Sequence, residues 1–170
     1  MKKSIIITLI IVTLISVMFV LTGCNKGGTV QTLKTTYNGK ESYVTFEISD
    51  SDKTDDFDEE YPETITIRNS EKNYVLYLTL YVDQKDSYES SKADAKNEVE
   101  GYSETKFGKY DGYIGTGVGE VYGNILLDTK NDIYKTVAFT VCSNGNATQD
   151  ETMKIYKSKD VQNILDSFNF

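Results

Sequence analysis

The pattern of apolar and polar positions divides the chain in two. From Ile5 to Leu21 apolar residues follow one another almost without a break, whereas beyond Cys24 they recur at intervals of two or of three to four. The short interval belongs to strands with one buried face and the longer one to helices. Val44, Phe46 and Ile48 alternate with Thr45 and Glu47, predicting a half-buried strand entered from the turn pair Asn38-Gly39. Thr64-Ile65-Thr66-Ile67 is a short strand, and a polar turn over Asn69 to Lys72 leads into a long one. In that strand Tyr74, Leu76, Leu78, Leu80 and Val82 point one way, and Val75, Tyr77, Thr79 and Tyr81 the other. Both sets are largely apolar, which predicts a central strand covered on both faces.

A helix follows. Asp86 with Glu89 forms a capping-box pattern, and Tyr88, Ser91, Ala95 and Val99 recur as a narrow, weakly apolar stripe before Gly101 ends it. Tyr102 to Cys142 reads as a meander, with a hairpin signal at Asp111-Gly112. Its buried strands are Ile125-Leu126-Leu127 and Val137 to Cys142, joined by a polar turn around Lys130-Asn131-Asp132. Ser143 to Glu151 is a loop and Met153 to Tyr156 a last strand. Ser158 then caps a helix whose Val161, Ile164, Leu165 and Phe168 share one apolar face. Asn25 to about Lys34 shows no period and carries Gly27-Gly28, so residues 24–40 read as a flexible tether and 41–170 as one globular domain. An alternative reading starts the first strand at Val30 and Leu33.

Helices set against runs of neighbouring strands predict an α+β fold, a mostly antiparallel sheet flanked by helices. Three features carry a resemblance to the PsbP-like family, an α/β/α sandwich. They are the Tyr74–Val82 strand running into the 86–100 helix, the meander to Cys142, and the closing Val161-Gln162-Asn163-Ile164-Leu165-Asp166-Ser167-Phe168. The resemblance spans roughly residues 41–170, apart from the acidic loop at 50–60. It implies a non-catalytic binding or accessory role and carries no site residues with it.

The apolar leader has the layout of a secretory signal peptide, with Lys2 and Lys3 as its basic head. Its ending, Leu21-Thr22-Gly23-Cys24, resembles the lipobox of bacterial lipoproteins. That resemblance implies cleavage after residue 23 and acylation of Cys24, which would moor the domain to the outer face of the cell membrane. Two or three acyl chains hold a protein durably where one holds it only marginally. The competing reading is an uncleaved helix: the run lies at the short end of the roughly 17–25 residues that span a bilayer. It also exceeds the usual h-region of about 7–15. The Thr-Gly-Cys ending favours lipidation.

Composition narrows the classes of function. Without Lys2 and Lys3, the 18 basic residues fall to 16 against 26 acidic ones, near −10 for the mature chain. Such a charge argues against nucleic acid and against electrostatic adhesion to anionic lipid. Histidine is absent, which removes the commonest general base and transition-metal ligand. Thirteen tyrosines and one proline suit a β-rich domain with aromatic faces. Once Cys24 is lipidated only Cys142 remains, in an apolar alternating run that predicts a buried, inert thiol.

Candidate chemistry is sparse. Ser103-Glu104-Thr105-Lys106 matches the S-x-x-K nucleophile pattern, which needs the serine at the head of a helix. Here it falls in a predicted strand, where positions i and i+3 face opposite sides. Gly115, Gly117, Gly119 and Gly123 miss the dinucleotide fingerprint, since Glu120 stands where its last glycine belongs and no helix follows. They read as a hairpin or bulged edge, next to which Tyr110, Tyr113 and Tyr122 form a candidate aromatic groove for a peptide or sugar. Asp50 to Glu60 holds seven acids but breaks the calcium-loop pattern at Thr54 and Asp55, and reads as a solvated loop. The expectation is a non-enzymatic surface lipoprotein, without cofactor, catalytic residues or metal ligands, binding an envelope protein or glycan. The alternatives are an anchored hydrolase using carboxylates or the Ser-Lys pair, and a calcium-stabilised module.

Overall fold

The computed structural model describes residues 28–55 and 63–170. The leader, Cys24 and the acidic stretch at 56–60 lie outside the described residues. Nine strands and three α-helices follow in the order β1 (Gly28–Tyr37), β2 (Lys40–Ser49), β3 (Lys53–Thr54), β4 (Thr64–Asn69), β5 (Tyr74–Gln84), α1 (Lys85–Glu98), β6 (Ser103–Phe107), β7 (Tyr110–Gly117), β8 (Glu120–Asp128), β9 (Ile133–Ser143), α2 (Gln149–Tyr156) and α3 (Lys159–Asp166), with a 3₁₀ turn at Lys130–Asp132. Seven strands form one antiparallel sheet in the order β3-β4-β5-β9-β8-β7-β6, while β1 and β2 pair as a separate hairpin. The expected α+β architecture, an antiparallel sheet flanked by helices, is the one observed.

One face of the sheet carries the main core. Ile65, Ile67, Leu76, Leu78, Leu80, Ile125, Val137 and Phe139 are buried there against Leu33, Val44, Phe46 and Ile48 of the hairpin and against Val161, Ile164, Leu165 and Phe168. Alternation along each strand puts these residues on one side, because direct cross-strand partners share a face. The last helix is built as its pattern predicts: the Ser158 hydroxyl accepts the Val161 N–H, and all four residues of its apolar face are buried. The Asn38-Gly39 pair turns β1 into β2 with both residues at positive φ, 48° and 73°, the signature of a tight type I′ hairpin.

Several expectations are corrected. Residues 28–37 are not tether but a strand paired along its whole length with β2, and Leu33 is fully buried. Met153–Tyr156 is helical. Thr148 caps α2 by accepting the Glu151 N–H, and the Glu151 carboxylate in return accepts the Thr148 N–H at 2.8 Å. Four residues of alternating sequence are too few to separate the two periods, and the capping box decides the outcome. The cap of α1 lies two residues earlier than expected: Gln84 occupies the N-cap without a side-chain bond, and Asp86 lies in the first turn. The β6–β7 hairpin turns at Gly108-Lys109, not at Asp111-Gly112, and the Gly108 N–H donates to Asp166 Oδ1 at 2.7 Å.

The acidic loop is only partly solvated. Asp52 is buried, and its carboxylate accepts hydrogen bonds from the Tyr74 hydroxyl (2.5 Å), Asn69 Nδ2 (2.7 Å) and the Ser49 N–H (2.9 Å). Three neutral donors hold this carboxylate, and among the described residues no cation forms a direct ion pair with it. Burial, and then the bond to Asp52, push the Tyr74 phenol well above its ordinary range. Asp55 pairs with Arg68 at 3.0 Å.

Two stability measurements check these assignments. Leu33→Ala should cost about 2–5 kcal/mol in urea denaturation of a chain starting at Asn25, as for a core leucine. A tether position would change by less than about 0.5 kcal/mol. Tyr74→Phe, which strips one donor from the buried carboxylate, should cost about 1–3 kcal/mol.

Candidate functional site

Seven strands spaced by about 4.8 Å make a sheet roughly 30 Å wide, whereas one helix with its side chains measures about 10–12 Å across. Among the described residues α1 is the one helix on the face away from the main core, and it leaves much of that face open. Its buried positions, Tyr88 and Ala95, sit with Tyr113 in a second, smaller apolar cluster joined by Val99, Tyr102, Leu126 and Tyr134. The aromatic centroids lie 6.3 Å apart for Tyr88 and Tyr113, 5.5 Å for Tyr88 and Tyr134, and 5.7 Å for Tyr102 and Tyr113. Burial raises the Tyr88 and Tyr113 phenols above their usual range, and neighbouring tyrosines add to the effect.

The C-terminal end of α1 is tied down. The Glu100 carbonyl accepts both the N–H and the hydroxyl of Thr116, each at 2.9 Å, and Lys92 pairs with Glu104 at 3.0 Å. Val99 presses onto Gly115, where any Cβ would collide with its side chain. The glycines of β7 and β8 therefore serve close packing within the sheet, in a hairpin that is interior and not at an edge.

Beside α1 the open face shows the alternate side chains of β5. Tyr77 and Tyr81 are 39% and 51% exposed, so this face of β5 is covered at Val75 but open further along, where the expectation was cover on both faces throughout. Thr79 lies between them, and Thr140 and Tyr122 continue the Tyr77 row across β9 and β8. Where the N-terminal half of α1 crosses the sheet, a cleft of about 230 Å³ opens between the helix and the strands. Tyr81, Tyr88 and Tyr134 line it together with Asp83, Asn124 and the hydroxyls of Ser87, Ser91 and Thr136. The Asn124 side-chain oxygen is buried and has no hydrogen-bond partner among the described residues.

The three tyrosines proposed from sequence do not form one groove. Tyr113 is buried beneath α1, and Tyr122 is half-buried on the same face. Tyr110 belongs to the opposite face, in the main core, with its ring 6.0 Å from that of Phe170. In β7 positions 110 and 113 differ in parity, and parity sets the face. The open aromatic residues are Tyr77 and Tyr81, which the apolar reading of β5 hid. The mixture of threonine with tyrosine on that side was the available signal, since the opposite side of β5 is almost wholly aliphatic.

Ser103 and Lys106 are not brought together. Lys106 Nζ pairs with Asp111 at 2.8 Å, and the Ser103 hydroxyl donates to the Glu104 carbonyl. Among the described residues no three cysteine or acidic side chains converge as a metal site. Cys142 is free and half-buried on the open face; burial, and then Glu120, raise its thiol pKa. Among the described residues no helix is long and apolar enough to cross a membrane.

No family model and no curated protein matches the sequence. Among solved structures the chain is similar to a protein from Bacteroides thetaiotaomicron, with 10% identity and a TM-score of 0.43 over 74% of this chain and 44% of that one. It thus spans less than half the length of that protein. It is also similar to LpqN of Mycobacterium tuberculosis, described as involved in cell envelope biogenesis, with 12% identity and a TM-score of 0.46 over 82% and 90% of the two chains.

The Lys92–Glu104 pair that holds α1 to β6 has a definite pH signature. The hydrogen bond from Lys92, then its charge, lower the Glu104 pKa, and the same bond raises that of Lys92. The Glu104 contribution is therefore present above the ordinary glutamate range and lost as pH falls through the lowered value. Carboxyl NMR should place the Glu104 midpoint below that of a free glutamate, and Lys92→Met should raise it toward the ordinary value, with Tyr102 and Lys96 still lowering it.

Proposed function

We propose that this chain is a bacterial lipoprotein, moored to the outer face of the cell membrane through lipid on Cys24, whose domain binds an envelope protein or glycan without chemical turnover. The anchor rests on the leader and its Leu21-Thr22-Gly23-Cys24 ending. The binding role rests on one observation above all, the sheet face that α1 leaves open, where exposed Tyr77 and Tyr81 alternate with Thr79. Aromatic rings beside hydroxyls give contact area and hydrogen bonding at low entropic cost, the combination found in recognition surfaces.

The course of the chain supports this orientation. β1 begins at Gly28, so the link back to Cys24 spans at most about 14 Å even if fully extended. Gly28 pairs with Ser49, whose N–H donates to the Asp52 carboxylate beside Tyr74, so the anchored end of the hairpin lies by the start of β5. Tyr81 is seven residues further along β5, roughly 23 Å away. The cleft thus lies toward the end of the domain remote from the anchor.

Two experiments test the two halves of the proposal. Cys24→Ala should release or mislocalise the protein, whereas unchanged membrane retention would identify an uncleaved helix. A chain starting at Asn25 should sediment with isolated cell envelopes. The Tyr77→Ser/Tyr81→Ser double variant, altered only at exposed positions, should stay in the supernatant, and undiminished sedimentation would remove the open face as the binding site.

A further inference from the structure

The fixed polar groups that line the α1 cleft share one electrostatic character. Asn124 offers a buried amide oxygen with no partner among the described residues. Asp83 offers a carboxylate of which one oxygen accepts the Gln84 N–H at 2.7 Å and the other has no donor among the described residues. Tyr81, Tyr88 and Tyr134 add aromatic rings, whose faces are negative. Among the described residues no lysine or arginine lines the cleft. The basic residues of its neighbourhood are turned elsewhere: Lys92 pairs with Glu104, and Lys85 lies in a separate depression with Asp86 and Asp132.

An anionic ligand would meet a carboxylate and find no counter-charge. A neutral sugar could donate hydroxyls to Asn124 and to Asp83 but would bring no charge to balance the carboxylate. A cation that carries N–H groups answers all three features: it donates to Asn124, pairs with Asp83 and lies against tyrosine rings. Size limits it further. Sites for drug-sized ligands measure about 300–1,000 Å³, so a cleft of about 230 Å³ takes one small head group and its stem. The acidic balance of the domain favours the approach of such a group.

We infer that the cleft between α1 and the sheet binds a protonated amine or guanidinium group, presented as the lysine or arginine side chain of a partner or as a free polyamine. This rests on the reading of the open face as a binding surface and names the chemistry that it selects. The Tyr81 ring forms the outer wall, Asp83 supplies the charge, and the Asn124 oxygen sets the direction of the N–H donor.

The test is an NMR titration of the ¹⁵N-labelled chain starting at Asn25. n-Butylammonium and n-butylguanidinium should give saturable shifts at Asn124, Tyr81, Tyr88 and Tyr134, and tetramethylammonium and maltotriose should not. Asp83→Asn and Tyr81→Ala, both at exposed positions, should each weaken binding by about tenfold. Tighter binding of spermidine than of a tetralysine peptide identifies a free polyamine as the source, and the reverse order identifies a protein side chain. Shifts caused by maltotriose with the amines inert would overturn the inference and leave the binding surface standing. Amine shifts scattered over the acidic surface, or indifferent to Asp83→Asn, would also overturn it, as unspecific attraction. Failure of the binding surface itself is read independently, from the envelope sedimentation of the Tyr77→Ser/Tyr81→Ser variant.

Discussion

A wide sheet has two faces to shield from water, and the described residues supply a full cover for only one. The hairpin β1–β2 with α2 and α3 seals the aliphatic face, where Leu76, Leu78, Leu80 and Phe139 are buried. The opposite face receives a single helix of 14 residues. A helix of that length and width leaves several strands uncovered, and the residues left in the open must tolerate water. Tyrosine and threonine do so, because each carries a hydroxyl on an apolar body. The composition of the uncovered face therefore follows from a shortage of covering layers, and that shortage also leaves it accessible to a ligand.

The two faces are stabilised by different physics. On the sealed side, close packing and hydrophobic burial dominate, and the one charge taken inside, Asp52, is met by three neutral donors. On the other side a short cluster of tyrosines, a close contact of Val99 with Gly115 and one exposed ion pair hold α1 in place. Exposed pairs of this kind contribute little individually, so α1 relies mainly on its aromatic contacts. The sheet forms a rigid platform, and α1 is the less firmly held element on it.

Much of this was legible in the residue pattern. The alternation in β2, β5 and β9, the Asn38-Gly39 turn and the Ser158-capped final helix are all local signals, and each is realised. The misses have identifiable causes. β1 carries a single buried apolar residue, Leu33, among threonines, Gln31 and Lys34, too weak an alternation to separate from a tether. α2 offers four residues that suit either period, and its identity lies in the bonds between Thr148 and Glu151. The cover over β5 was misjudged because an aromatic strand face counts as apolar in sequence, while the number of layers above it is a property of the whole fold. The cleft was invisible for the same reason: Tyr81, Tyr88, Asn124 and Tyr134 come from four elements and share no spacing.

The way α1 is fastened has a mechanical consequence. Its far end is clamped by Thr116, Glu104 and the gap at Gly115, while its near end springs from β5 at Gln84 with no side chain closing the first turn. Uncapped ends fray first, and clamped ends act as fulcrums. Any rocking of the helix is therefore largest above Tyr81 and Tyr134 and smallest above Gly115, so the element behaves as a lever whose free arm lies over the cleft that Tyr81, Tyr88 and Tyr134 line.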